Sequence, residues 1–306
     1  MATATTFTVA PEEAGARLDK LLGTRLGLSR REVAALLEDG KVRLDEQPAA
    51  LRHKGLLLRP GQRLAVAAFA RRAEAMIRPN PEMPLTLLAQ GEGVIVVDKP
   101  AGVPVFPHRP GETGTLLNAV VARYPALQGV GEGGLGSGVV HRLDQGTSGA
   151  LAVALTSAAW ERWRAAFAAR RVQKSYRAIV AGRLGGGARE TPWLYVAQHR
   201  PAKVRVAPPS RPDARPTALE WRALETFDAA TLLEVELESG FLHQIRATFA
   251  ALGHPILGDA RYGAPAEPAA PRQMLHAARL ALEGLEAMSP DPPDFAAVLG
   301  ALRRRG

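Results

Sequence analysis

The stretch that most constrains this chain is His141-Arg142-Leu143-Asp144-Gln145-Gly146-Thr147-Ser148-Gly149, which runs directly into Ala150-Leu151-Ala152-Val153-Ala154-Leu155. The second half is a continuous apolar run of strand length, the pattern of a strand covered on both faces. The first half is polar, punctuated by glycine and approached through the Gly-rich segment 129–138. A loop held against a buried strand is a rigid platform for a few reactive side chains. Asp144 is its one acid. Asp, Ser and Thr side chains also bond their own backbone in tight turns, so residue type alone leaves Asp144 either a turn former or a reactive carboxylate.

With 306 residues and 46% hydrophobic content the chain has room for two domains and a proper core. Its 39 Lys+Arg against 30 Asp+Glu leave a net charge of +9, which suits a polyanionic partner without choosing between RNA, DNA and lipid. No apolar run reaches the roughly 18 residues of a membrane span, and residues 1–11 lack the charged-then-apolar order of a signal peptide. A cytoplasmic, monomeric protein without a membrane partner is expected. The chain has no Cys, which excludes disulfides, thiolate nucleophiles and Cys-ligated zinc. Its histidines are scattered, so no metal site is expected.

Residues 1–70 form a first segment. Leu18, Leu21, Leu22 and Leu26 recur at helical spacing. A second helix starts more sharply: Ser29 and Glu32 make a capping box ahead of Val33, Leu36 and Leu37, and Gly40 supplies the stop. Lys41-Val42-Arg43-Leu44 alternates like a strand, and Leu56 to Val66 reads as two short strands around the Pro60-Gly61 turn. Arg30 and Arg31 lie in the first turn of the second helix, where cations oppose the helix dipole and an external anion would relieve them. A solvated basic face and a nucleic-acid contact fit that charge equally well.

The charged, Pro-bearing residues 71–84 read as a linker, leaving 85–306 as a second domain. Its segment 92–97 reads as a strand ending in Asp98-Lys99-Pro100-Ala101-Gly102, and 115–124 as a helix. Ser157 is placed as the cap of a helix reaching about Arg171, with Trp160, Trp163 and Phe167 as its packing face. Lys174 to Gly182 alternates as a strand carrying Tyr176, the Gly-rich segment 184–190 reads as a loop, and 231–238 alternates Leu or Val with Glu. Ser239-Gly240-Phe241-Leu242-His243-Gln244-Ile245-Arg246 opens a helix with Leu242, Ile245, Phe249 and Leu252 as its apolar face. His243 and Arg246, three apart, are neighbours on it. Arg246 in the first turn sits at the unfavourable end of the dipole, which a fixed carboxylate nearby would explain. The Arg303-Arg304-Arg305 tail is expected to be solvated.

The string His-Arg-Leu-Asp-x-x-Thr-Ser-Gly resembles the active-site signature of the RluA family of pseudouridine synthases. Lys99-Pro100-Ala101-Gly102, Lys174-Ser175-Tyr176, the stretch 239–246 and Gly253-His254-Pro255-Ile256-Leu257-Gly258-Asp259-Ala260-Arg261-Tyr262-Gly263 resemble the same family in the same order. Two positions depart: Phe241 and Leu242 stand where the family motif has Arg and Thr. The resemblance implies an α+β chain, with a mixed, mainly antiparallel sheet flanked by helices and the Asp144 loop at its centre. It also implies a cofactor-free isomerase, with Asp144, Tyr176 and Arg246 catalytic and Arg246 paired to Asp144. Arg142 is implied to enter the RNA where the target base leaves its stack. His141, Thr147, Ser148, Gly149, His243, Gln244 and Ile245 are implied to line the substrate. Residues 1–70 resemble the S-four-like RNA-binding module of a ribosomal small-subunit protein, which implies Arg17, Lys20, Arg30, Arg31 and Lys41 as phosphate contacts. Large-subunit ribosomal RNA is the first substrate expected and transfer RNA the second.

Two other classes compete with this reading. His-Arg-Leu-Asp is superficially like the kinase catalytic loop, but a Gly-rich nucleotide loop, a Lys strand and Asp-Phe-Gly are missing. A non-catalytic ribosome-binding or assembly factor would use the basic first segment alone, and has no use for a lone acid facing a polyanion.

Overall fold

The computed structural model describes residues 3–69, 74–199, 201–265, 267 and 270–305, with the Arg31 side chain outside the description. The chain divides into two compact units, Met1–Met76 and, apart from Gly133–Leu135, Ile77 onward.

The first unit contains β1 (Thr5–Thr8), α1 (Leu18–Leu26), α2 (Arg30–Glu38), β2 (Val42–Leu44), β3 (Gln47–Pro48) and β4 (Arg63–Val66). The strands form an antiparallel sheet in the order β1-β4-β2-β3. The Ser29–Glu32 capping box forms as read: the Glu32 N–H donates to Ser29 Oγ at 3.3 Å and the Ser29 N–H to Glu32 Oε2 at 2.9 Å. Gly27 ends α1 in the left-handed region at φ 63°, a conformation glycine adopts without strain. Leu18, Leu22, Val33 and Leu37 bury the inner faces of both helices in one core with Val42, Leu64 and Val66. The strand expected before the Pro60-Gly61 turn does not form. Leu57 makes a single bridge to Arg17 and is 63% exposed, while Leu58 alone turns into the core.

The second unit contains β5 (Thr86–Gly91), β6 (Val94–Lys99), α3 (Leu116–Arg123), β7 (Ser148–Ala154), α4 (Ser157–Ala168), β8 (Gln173–Ala181), β9 (Gly187–Glu190), β10 (Trp193–His199), β11 (Ala202–Ala207), β12 (Arg215–Pro216), β13 (Leu219–Thr226), β14 (Ala230–Leu237), α5 (Gln244–Ala251), β15 (Leu275–Leu282), β16 (Leu285–Met288) and α6 (Pro293–Arg305). A nine-stranded sheet runs β5-β6-β7-β15-β8-β14-β13-β9, with β16 added on β15. β7 and β15 pair in parallel and the other pairs are antiparallel. This is the mixed, mainly antiparallel α+β sheet that the resemblance implied. β7 is buried at every position, as its continuous apolar run requires.

Several local readings differ. Of the expected linker, residues 71–73 lie outside the description. Farther on, Ile77 is buried and exchanges backbone hydrogen bonds with the Gln128 side chain, so this stretch is tied down onto its unit. The segment before Glu92 is a strand as well, because Gly93 at φ 66° turns β5 back onto β6. Thr156 caps α4 in place of Ser157. The Gly-rich segment 184–190 closes with β9 at the sheet edge. Arg303 pairs with Glu225 at 2.8 Å and Arg305 with Glu267 at 3.1 Å, so the tail is helical and bonded.

Candidate active site

The Asp144 loop is fastened along its length before any substrate group is considered. At its start, the Ala152 N–H donates to His141 Nε2 at 2.9 Å, and the imidazole stacks on Phe167 with ring centroids 4.6 Å apart. Burial, then the nearby Lys174 charge, pushes His141 down to about 3, so the ring is neutral and accepts. At its end, Gly149 at φ 115° lies against β15 so closely that a Cβ would stand 2.2 Å from the Ala277 carbonyl oxygen. No other residue fits there. Between them, the Thr147 N–H donates to the Asp144 carbonyl at 3.0 Å, closing the turn.

Two basic side chains, the buried Lys99 and the partly buried Arg272, brace this loop from behind. Lys99 Nζ, at the end of β6, donates to the carbonyls of Pro100, Val103 and Gln145 at 2.8, 2.8 and 3.1 Å. Burial and then Arg272 push Lys99 down to about 7, against the charges of Asp144 and Asp98. Arg272 Nη1 donates to the Gly146 carbonyl at 3.0 Å and Nη2 to Ser148 Oγ at 3.2 Å, while Asp294 at the start of α6 holds the same guanidinium at 2.6 and 3.0 Å. Ser148 Oγ also meets His276 Nδ1 at 2.9 Å.

Helix α5 brings the partner of Asp144. Arg246 Nη1 donates to Asp144 Oδ2 at 2.9 Å, across 102 positions of sequence. The other edge of the guanidinium forks onto Asp259, Nε to Oδ2 at 2.6 Å and Nη2 to Oδ1 at 2.8 Å. Burial works against the Arg246 charge, but the bonds to Asp259 and then Asp144 outweigh it and hold its pKa above the usual arginine range. Sequence reading placed an apolar stripe on α5. In the structure Gln244, Ile245, Arg246, Ala247, Thr248 and Phe249 are all buried, and Leu252 is 41% exposed. The reason is a second layer: β10, β11 and β12 form a small sheet whose Leu194 and Val204 pack on Ala247, while Phe249 meets Trp221 of the main sheet from the opposite side.

Asp144 faces a cavity of about 680 Å³, within the usual range for pockets that take a small-molecule-sized group. Its walls are the 140–144 loop, the end of α4, the start of β8 and the residues 237–246. No hydrogen-bond donor among the described residues reaches Asp144 Oδ1, and the side chain is 17% exposed. Tyr176 lines the same cavity from β8, and burial followed by the Asp144 charge raises its pKa, so the phenol keeps its proton. Arg142, Arg164, Arg170 and Lys174 stand along the cavity too. Glu238, the other acid there, is taken up by Arg189 at 2.7 Å.

The residues read from sequence separate into two groups. Arg142 is exposed, with its guanidinium 5.9 Å from the Phe106 ring centroid, and His243, Gln244 and Ile245 line the cavity. Gln244 spends its amide on Ala218, Ser239 and Phe241, which fixes the turn into α5. Thr147, Ser148 and Gly149, expected at the substrate, are buried behind the loop and do not line the cavity; they join it to β15 and Arg272. In the first unit Arg17, Lys20 and Arg30 are exposed, Arg17 in a bidentate pair with Asp19 at 3.0 and 2.8 Å, and Lys41 Nζ reaches the Ala68 carbonyl at 3.4 Å. The Arg31 side chain lies outside the described residues. Asp259, Lys99, Arg272 and Tyr262 were given no role from sequence.

A carboxylate on a braced loop, paired with a buried arginine and lining a cavity of nucleotide size, is the candidate active site of an enzyme on an α+β sheet. Residues 93–251 match the family model described as RNA pseudouridylate synthase. An uncharacterized RNA pseudouridine synthase of Mycobacterium bovis is 37% identical over 96% of either chain. The ribosomal large subunit pseudouridine synthase D of Nitrosomonas europaea is 34% identical over 97% of this chain and 87% of its own. Among solved structures, human RNA pseudouridylate synthase domain containing 1 superposes with a TM-score of 0.57 at 26% identity, covering 74% of this chain and 97% of its own. The chain belongs to the RNA pseudouridylate synthase family and is an RNA pseudouridine synthase.

Proposed function

We propose that this enzyme isomerises uridines of large-subunit ribosomal RNA, with Asp144 as the reacting carboxylate, Arg246 as the group that pairs with it and aims it, and Tyr176 as the ring that packs on the base. In the reaction the bond from N1 of the base to C1′ of the sugar breaks, the base turns, and C5 bonds to C1′. The proton leaves C5 and N1 ends protonated, so no atom is gained or lost. The observation that carries the reading is the hydrogen-bonded ion pair between Asp144 and Arg246, made through Oδ2, which leaves Oδ1 without a donor among the described residues in a side chain that lines the cavity. A carboxylate so placed serves either by attack on C1′ or the ring, or by stabilising charge beside the sugar. The neutral phenol of Tyr176 and its ring suit a flipped-out base, which must leave its stack at a cost of a few kcal/mol. Arg142, exposed at the cavity, suits the vacated space in the helix. The ribosomal substrate is supported by relatives of this length named for the large subunit.

In this reading the first unit is an S-four-like module that meets structured RNA through Arg17, Lys20, Arg30 and Lys41, and the enzyme works as a cytoplasmic monomer. The test is to incubate transcripts of large-subunit ribosomal RNA and of transfer RNAs with the protein and map pseudouridine by carbodiimide labelling. New sites are expected in the ribosomal transcript. New sites in transfer RNA alone would replace the substrate, and none in either would favour a binding factor without turnover.

A further inference from the structure

His243 is the last residue before α5 and sits in the left-handed region at φ 52°, where a non-glycine residue needs compensation from its surroundings. That conformation turns its ring into the site. Nε2 lies 3.7 Å from Asp144 Oδ2, the oxygen that also receives Arg246. Nδ1 lies 2.9 Å from the Tyr262 hydroxyl. Tyr262 in turn accepts the backbone N–H of Val204 in β11 at 2.9 Å. Its ring makes an edge contact with the imidazole, centroids 5.7 Å apart, and the Arg246 guanidinium stands 5.1 Å from the ring centroid. One phenol therefore touches both groups that hold Asp144.

These contacts decide where the protons are. With the Val204 N–H directed at the phenol oxygen, the phenol's own proton is the one available to His243 Nδ1. A neutral imidazole that accepts at Nδ1 carries its hydrogen on Nε2. That hydrogen points to the Asp144 carboxylate, whereas the other tautomer would set a lone pair against it. Burial keeps the ring neutral, with Arg246 and Arg261 opposing its protonation and Asp144 and Asp259 favouring it.

We propose that Tyr262 is a positioning residue that donates to His243 Nδ1, fixing the tautomer whose Nε2–H faces Asp144 Oδ2 and so leaving Oδ1 as the oxygen that meets the substrate. This rests on Asp144 being the reacting carboxylate. The groups whose charge reaches Asp144 are Arg246 and His243 from α5 and its entry, Lys99 from β6 and Tyr176 from β8, with Asp259 and Arg261 behind them. In Tyr262→Phe the donor is lost, the hydrogen moves to Nδ1, and the lone pair of Nε2 is set against the Asp144 carboxylate, which loses its alignment.

The experiment compares kcat and KM of the wild-type enzyme and Tyr262→Phe on one RNA. The expected result is a fall in kcat of about tenfold with KM within about twofold. An unchanged kcat, or a KM that rises as much as kcat falls, would make Tyr262 a packing residue and overturn the inference. Nitrogen NMR of histidine-labelled wild-type protein, with His243 assigned through His243→Gln, reads the tautomer without relying on the variant's folding. Protonated Nε2 is expected, and protonated Nδ1 overturns the inference. Turnover by Asp144→Asn would instead sink the reading of Asp144 itself, whatever tautomer the NMR reports.

Discussion

Two carboxylates share one guanidinium here, and they differ in what the pairing leaves free. Asp259 has both oxygens bonded to Arg246 and its side chain is 1% exposed; Asp144 has one oxygen bonded and is 17% exposed at a cavity. Both satisfy the same cation. Of the two, only Asp144 retains an oxygen without a donor among the described residues, and only Asp144 lines the cavity. Asp259 works one step back: by taking the Nε–Nη2 edge of the guanidinium it leaves Nη1 for Asp144, which fixes the direction of that carboxylate while spending little of its lone-pair capacity.

The largest expected effect breaks the pair on the open side. Asp144→Asn should lower kcat by about a thousandfold or more while RNA affinity stays within a few-fold. The midpoint of thermal unfolding should move little, because Asp259 still compensates Arg246. Asp259→Asn should reverse the order of effects, costing about 3–5 kcal/mol of stability through an undercompensated buried cation, with activity falling as a consequence. Single-turnover kinetics beside denaturant melts separate the two. Equal stability losses in both variants would end the distinction.

How far this arrangement was legible in the sequence depends on how each residue signals. Asp144 stood out as the one acid in a Gly-punctuated loop before a fully apolar strand, and Arg246 as a cation at the unfavourable end of a helix, so a carboxylate near it was foreseeable. Asp259 gives no such signal. It follows Gly258 and precedes a short turn, which is the setting of an ordinary turn aspartate. The burial of α5 was misjudged for a topological reason: its outer cover is the β10–β11 hairpin, and neither strand alternates cleanly enough to be read, with a register shift between Val196 and Gln198. Thr147, Ser148 and Gly149 belonged to the signature string, but string membership does not say which side of a loop a residue takes. The close approach of Gly149 to Ala277 is a contact between segments distant in sequence, invisible to local pattern.

Arg246→Lys sharpens the comparison, because an ammonium cannot fork onto Asp259 and also reach Asp144. A fall in kcat of about ten- to a hundredfold is expected, with a smaller loss of stability than in Asp259→Asn. Wild-type rates in this variant would mean that charge alone, without direction, serves Asp144. Tyr176→Phe should do less. The hydroxyl has no hydrogen-bond partner among the described residues and the ring stays, so kcat should fall by less than about tenfold. A Tyr176→Ala variant, which removes the ring, should lose considerably more, and the reverse ranking would give the hydroxyl a part in the chemistry.

The smallest effect concerns the loop's anchor and is read as pH dependence of stability. His141 is held near 3 in the folded protein, below the ordinary histidine value near 6.5 that the unfolded chain shows. Between those values the unfolded chain binds a proton that the native state refuses. Its contribution is therefore fully present above about pH 6.5 and is lost progressively as pH falls toward 3. Urea melts at pH 7 and pH 5 should show the wild type losing stability over this interval, and His141→Asn, which still offers an acceptor to the Ala152 N–H, losing less of it. An identical drop in both would mean that His141 is protonated in the fold at pH 5, and that the loop is anchored at Phe167 by a cation stacked on a ring instead of by a neutral acceptor.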